Sequence, residues 1–117
     1  MKEFGKHYLV EFIGCDSDKI ASASVVETIM LEAARLSNAT LLSHAFHQFA
    51  PQGVSGFLFI AESHFSIHTW PEESYAGVDI FTCGKEMDAQ IAIEHLEREF
   101  AAKSVQVKLL SRGIDKK

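Results

Sequence analysis

Residues 61–72 read AESHFSIHTWPE and bring two acids, three hydroxyls, two imidazoles, the only tryptophan and one of two prolines into twelve positions. Alternation along an extended segment puts His64, Ser66, His68 and Trp70 on one face and Phe65, Ile67 and Thr69 on the other. Imidazole is the side chain whose unperturbed pKa lies closest to neutrality, which suits it to moving protons. Two imidazoles at i, i+4 on a strand stand about 13 Å apart, too far to chelate one metal ion. Acid–base work is the chemistry that remains.

Other reactive patterns are missing. There is no GxSxG, and the GVSG at 53–56 precedes a strand instead of joining a strand to a helix, so a hydrolase elbow is not supported. Cys15 and Cys83 are far apart, without CxxC or Cys/His ligand spacing, so neither a disulfide framework nor a zinc site is expected. A free reactive thiol stays open. Singly, each residue has a plainer use: solvated histidines, a core tryptophan, a strand-ending proline, a buried cysteine. Their concentration in one stretch is what favours a site.

The elements that must position these groups are legible. HYLVEFIG (7–14) alternates as a strand, and CDSD offers helix caps before KIASASVVETIMLEAARLS. There Ile20, Val25 or Val26, Ile29, Met30, Ala33 and Leu36 recur at helical spacing, with Glu27, Glu32 and Arg35 toward solvent. ATLLSHAFHQF (39–49) reads as a strand stopped by APQG, followed by VSGFLFIAES and HFSIHTW as one or two strands and YAGVDIFTC as another, closed by Gly84. DAQIAIEHLEREFAAK is a second amphipathic helix and SVQVKLL a last strand. The order β-α-β-β-β-β-α-β predicts an α+β two-layer sandwich, an antiparallel sheet with two helices on one face. The other face would expose Phe57, Phe59, Phe81 or their neighbours, which predicts a homodimer.

At 117 residues the chain is sized for one domain, 1–117, and 47% hydrophobic with 23% charged residues is a globular composition. The longest apolar run, GFLFIA, is far short of a membrane span, and acids in the N-terminal stretch argue against a signal peptide, so a cytoplasmic protein is expected. A net charge of −5 without a Lys/Arg cluster argues against nucleic acid and for a small organic ligand.

The stretch GVSGFLFIAESHFSIHTWPEESYAGVDIFTCG (53–84), with FHQF and EFIGCD flanking it, resembles the short bacterial and archaeal S-adenosylmethionine decarboxylase proenzymes over nearly the whole chain. The resemblance implies self-cleavage before Ser63, giving a β chain of residues 1–62 and an α chain of 63–117. Ser63 Oγ attacks the Glu62 carbonyl carbon, the amide becomes an ester, and β-elimination then leaves a pyruvoyl group made from Ser63. Ser55 takes the family role of stabilising the intermediate, His68 that of the base for α-proton removal, and Cys83 that of proton donor in decarboxylation. The cofactor is thus built from the chain, with no metal and no pyridoxal phosphate. Phe49 and Trp70 are the candidate aromatic wall for the sulfonium nucleoside, and Glu72 the candidate carboxylate. The product is the aminopropyl donor for spermidine synthesis, and the assembly a homodimer of cleaved protomers.

Two departures bear on substrate. Gln52 stands where the family usually has tyrosine, and Glu73-Ser74 where it usually has an aromatic and a glycine. An added acid beside the pocket would also suit a distal ammonium or guanidinium, so ornithine or arginine is the alternative substrate, and an uncut, non-catalytic homologue the alternative from another class.

Overall fold

The computed structural model describes residues 1–83 and 86–115; Gly84, the expected close of the fifth strand, lies outside them. The elements in chain order are β1 (Lys2–Ile13), α1 (Ser17–Ile20), α2 (Ala23–Leu36), β2 (Leu41–Gln48), β3 (Val54–Ile60), β4 (Ser63–Trp70), a 3₁₀ turn (Pro71–Glu73), β5 (Tyr75–Thr82), α3 (Ala89–Glu99) and β6 (Ser104–Ile114). The six strands form one antiparallel sheet in the order β2-β3-β4-β5-β1-β6. The expected α+β architecture and the expected order of strands along the chain stand.

Helix α2 packs on α3 and on β2 and β3, while α3 also meets β1, so both long helices cover the same face. The core lies between: Phe12 and Val10 of β1, Leu58 and Ile60 of β3, Phe65 and Ile67 of β4 and Ile80 of β5 meet Val26, Met30 and Ala33 of α2 and Ile93 and Leu96 of α3. This is the alternation read from the sequence, with Phe65, Ile67 and Thr69 turned to the helices and His68 and Trp70 exposed on the opposite side. Phe57 and Phe59 of β3 are 42% and 51% exposed on that uncovered face.

The single helix expected over 19–37 is broken. Asp16 caps α1 by accepting from the Asp18 N–H at 3.0 Å, as its position predicted. At Ser22 the backbone is extended. There the Gln48 side chain donates to the Ala21 carbonyl at 3.0 Å and accepts from the Ala23 N–H at 2.6 Å. A side chain from β2 thus supplies the bonds that a helical turn would otherwise make, which no local pattern could disclose. Leu36, expected on the buried stripe, is exposed at the last turn, and Ala34 is buried. Strand β1 starts five residues earlier than its alternation suggested, because β6 pairs with it from Lys2↔Ile114 onward. Among the described residues no helix is long and apolar enough to cross a membrane.

Candidate active site

The stretch that read as one or two strands is a tight hairpin. Ile60 of β3 pairs with Ser63 of β4, leaving only Ala61 and Glu62 in the turn. Two-residue hairpins normally take positive φ inside the loop, which favours Asn-Gly or Gly. Neither Ala61 nor Glu62 has it; Ser63 does, with φ +148°. This region is populated almost only by glycine and costs on the order of 1–3 kcal/mol, so the surroundings must impose it.

They do so from both sides. The Ala61 N–H donates to the Thr40 carbonyl at 2.8 Å. The Glu62 carboxylate accepts from the Thr40 N–H at 3.0 Å and from its hydroxyl at 3.3 Å. From just past the end of β5, the Cys83 N–H donates to the Glu62 carbonyl oxygen at 2.9 Å, and the Cys83 thiol donates to the same oxygen at 3.1 Å. Two donors on one carbonyl oxygen polarise it and would hold negative charge developing there.

The strain has a chemical direction. Because the Cβ branch lies about 120° around the N–Cα bond from the main-chain carbonyl, φ +148° turns Ser63 Cβ to within about 30° of eclipsing the Glu62 carbonyl carbon. An ordinary strand φ would leave it about 100–120° away. A five-membered ring closing from Oγ onto that carbon needs this torsion small, so the backbone stands close to the geometry of attack. Ser63 Oγ lies 3.4 Å from His64 Nδ1.

A second cluster occupies the other end of β3 and β4. Ser55 and His68 are directly paired across the ladder, with Ser55 Oγ 2.7 Å from His68 Nδ1. A cleft of about 290 Å³ beside them is lined by Phe49, Gln52, Trp70 and Glu72. Trp70 leans on Tyr75 at 5.4 Å between ring centroids and lies 6.4 Å from the His68 ring. The Tyr75 hydroxyl donates to the Glu11 carboxylate. Its burial, with Glu11 beside it, pushes the Tyr75 phenol up to about 12.

The expected residues therefore form two groups. Glu62, Ser63 and Cys83 are together at one end; Ser55, His68, Phe49, Trp70 and Glu72 are together at the other. His68 is five residues along β4 from Ser63, roughly 17 Å at strand rise, so one chain alone does not join the groups. Of the two departures, Gln52 lines the cleft, while Glu73 is not among its lining residues. Cys83 is exposed, whereas burial pushes the thiol of Cys15 up to about 11.

A family profile described as S-adenosylmethionine decarboxylase matches residues 6–113. The chain belongs to the S-adenosylmethionine decarboxylase family. Similar proteins bear the name S-adenosylmethionine decarboxylase proenzyme. That of Pyrococcus furiosus is 44% identical over 98% of this chain and 83% of its own length. That of Thermotoga maritima is 45% identical over 97% of this chain and 87% of its own. The crystal structure of the adenosylmethionine decarboxylase from Aquifex aeolicus superposes with a TM-score of 0.91 at 34% identity, covering 99% of this chain and 96% of that one. Within the family's fold, the sequence reading assigned no role to two groups that the structure brings to the turn. His64 was noted only for its face, although its adjacency to Ser63 was visible. Thr40 lies 22 residues before Glu62 and carried no signal.

Proposed function

We propose that the chain is a self-processing, pyruvoyl-dependent carboxy-lyase that acts on S-adenosylmethionine and yields the aminopropyl donor for spermidine synthesis. The observation that carries the reading is the Glu62–Ser63 peptide. Its carbonyl oxygen is held by two donors from Cys83, and its serine is strained toward ring closure. A serine serving only as a strand residue has no use for either feature.

The residues present suit a pyruvoyl group at position 63, since the same turn that sets up cleavage leaves Cys83 beside the atoms that become reactive. The ketone supplies an electron sink for loss of carbon dioxide from the substrate. Cys83 is suited to return a proton there, because its thiol lies 3.1 Å from the Glu62 carbonyl oxygen and a thiol exchanges its proton readily. Phe49 and Trp70 offer π faces to a sulfonium and an adenine, and Glu72 a carboxylate. The name of the relatives, S-adenosylmethionine decarboxylase proenzyme, favours this substrate over ornithine or arginine.

Two copies complete the site in this reading. A dyad that lays the uncovered face of one sheet on that of another would cover Phe57, Phe59 and Trp70. It would also bring the Ser55–His68 end of one copy to the Glu62–Ser63 end of the other. Ser55 would then donate to the intermediate's oxygen, and His68 would take the α-proton in β-elimination.

Purified protein should resolve into fragments of 62 and 55 residues, and Ser63→Ala should leave one chain of 117. Carbon dioxide should be released from S-adenosylmethionine and not from ornithine or arginine. Co-expression of Ser63→Ala with His68→Ala chains should restore cleavage of the His68→Ala chain, which neither variant achieves alone. An intact wild-type chain would refute the reading; failure of the mixed experiment would refute the shared site.

A further inference from the structure

The amide-to-ester step requires that Ser63 Oγ lose a proton; His68 of the same chain stands about five residues away with its Nδ1 facing Ser55, and the His68 that a second copy would bring is assigned the later α-proton. His64 Nδ1 is 3.4 Å from Ser63 Oγ, a distance typical of a catalytic contact before the reacting geometry tightens. Its ring is fixed: it stacks on Phe57 at 5.8 Å and 22° and on Phe81 at 5.8 Å and 28°. Only the ring edge is left to meet the serine.

We propose that His64 of the same chain is the base that takes the Ser63 hydroxyl proton, a catalytic role separate from the α-proton removal assigned to His68. The inference rests on the self-cleavage reading above. The step balances within the named residues. As Oγ bonds to the Glu62 carbonyl carbon, its proton passes to His64 Nδ1 and the negative charge rests on the oxygen held by Cys83. The C–N bond then breaks, and the Ser63 nitrogen leaves as an amine with the proton that His64 returns. Amide and alcohol become ester and amine, with nothing drawn from outside.

The surroundings favour a neutral imidazole before the step. Burial, with His7 adding to it and Asp79 opposing, holds His64 below the usual imidazole pKa of 6.5. The groups facing it are Phe57 on β3, Phe81 and Asp79 on β5, and His7 on β1 at 6.3 Å between centroids. Behind His7, Arg112 of β6 reaches its Nδ1 at 3.3 Å. Guanidinium only donates, so that nitrogen accepts, and His7 Nε2 is buried without a hydrogen-bond partner among the described residues. Among the described residues no carboxylate is hydrogen-bonded to His64, so its proton is available for return to the amine.

The test uses full-length proenzyme and two variants. His64→Phe keeps a stacked ring without a base, and His64→Asn keeps a hydrogen-bonding group near Nδ1 without basicity. Both should cut at least about 10²-fold more slowly than wild type, the usual cost of a lost general base. Their uncut chains should be amides that resist neutral hydroxylamine, whereas His68→Ala should stall as an ester that hydroxylamine cuts. In the His68→Ala background, ester formation should be flat above pH 6.5 and fall as pH drops through a lower value, a fall that either His64 change removes. Wild-type rates in folded His64→Phe or His64→Asn would overturn the proposal while leaving self-cleavage intact. Ester accumulation in those variants would overturn it too. A wild-type chain that never cuts would instead overturn the reading on which it rests.

Discussion

In the proposed function Cys83 serves cleavage through both its N–H and its thiol and turnover through its thiol alone, so replacing it with alanine should separate making the reactive centre from using it. The Glu62 carbonyl oxygen is held by the Cys83 N–H at 2.9 Å and by its thiol at 3.1 Å, and alanine removes only the second. A full oxyanion donor is worth about 10²- to 10³-fold, and a thiol is a weak donor, so cleavage should slow only about tenfold. That is roughly 1.4 kcal/mol of barrier. Turnover loses its proton donor and should fall by about 10²- to 10⁴-fold per cleaved chain. Intact mass spectrometry over time follows cleavage, and carbon dioxide release divided by the cleaved fraction follows turnover. Cys83→Ser, with a stronger donor and a far weaker acid, should restore cleavage and leave turnover low. Equal losses in both rates, or unchanged turnover per cleaved chain, would refute the division of labour.

Thr69 is buried, accepts from the Val54 N–H at 2.9 Å and donates to the Ile20 carbonyl at 2.8 Å. Thr69→Val should therefore leave two buried groups unpaired and cost about 2–4 kcal/mol by urea denaturation, and a change below 1 kcal/mol would contradict this. Tyr75, raised from 10 to about 12, favours the folded state below pH 10, and that contribution is lost as pH rises toward 12. Tyrosinate absorbance, corrected with Tyr75→Phe, should accordingly appear near pH 12 instead of 10. A thiol reagent at pH 8 should modify exposed Cys83 within minutes and Cys15, raised to about 11, only on unfolding; two equal rates would be inconsistent with the fold. Phe59→Glu on the uncovered face should leave a folded monomer by sedimentation, and an unchanged dimer would exclude that face as the interface.

Much of the scaffold was legible because it follows from local periodicity. The alternation of β4, the helical stripe from Val26 to Ala33 and the Asp16 cap each depend on neighbours a few residues away. What failed locally failed for one reason. The break at Ser22 is made by Gln48 and the early start of β1 by pairing with β6, and both depend on residues remote in the chain.

The site divides in the same way. Residue types and spacing pointed to a site within residues 61–72, and the resemblance to the S-adenosylmethionine decarboxylase family gave Glu62-Ser63, His68, Ser55 and Cys83 their expected roles. Only the tertiary structure decided how those groups are placed. It turned the strand end into a two-residue hairpin and placed the positive φ on Ser63. It brought Cys83 from just past the end of β5 onto the Glu62 carbonyl, clamped the turn through Thr40, and set His64 instead of His68 beside the hydroxyl. A sequence specifies which functional groups exist and on which face of a strand they fall. Distances between strands are set by register and turn geometry, which come from pairing energies summed over the whole sheet.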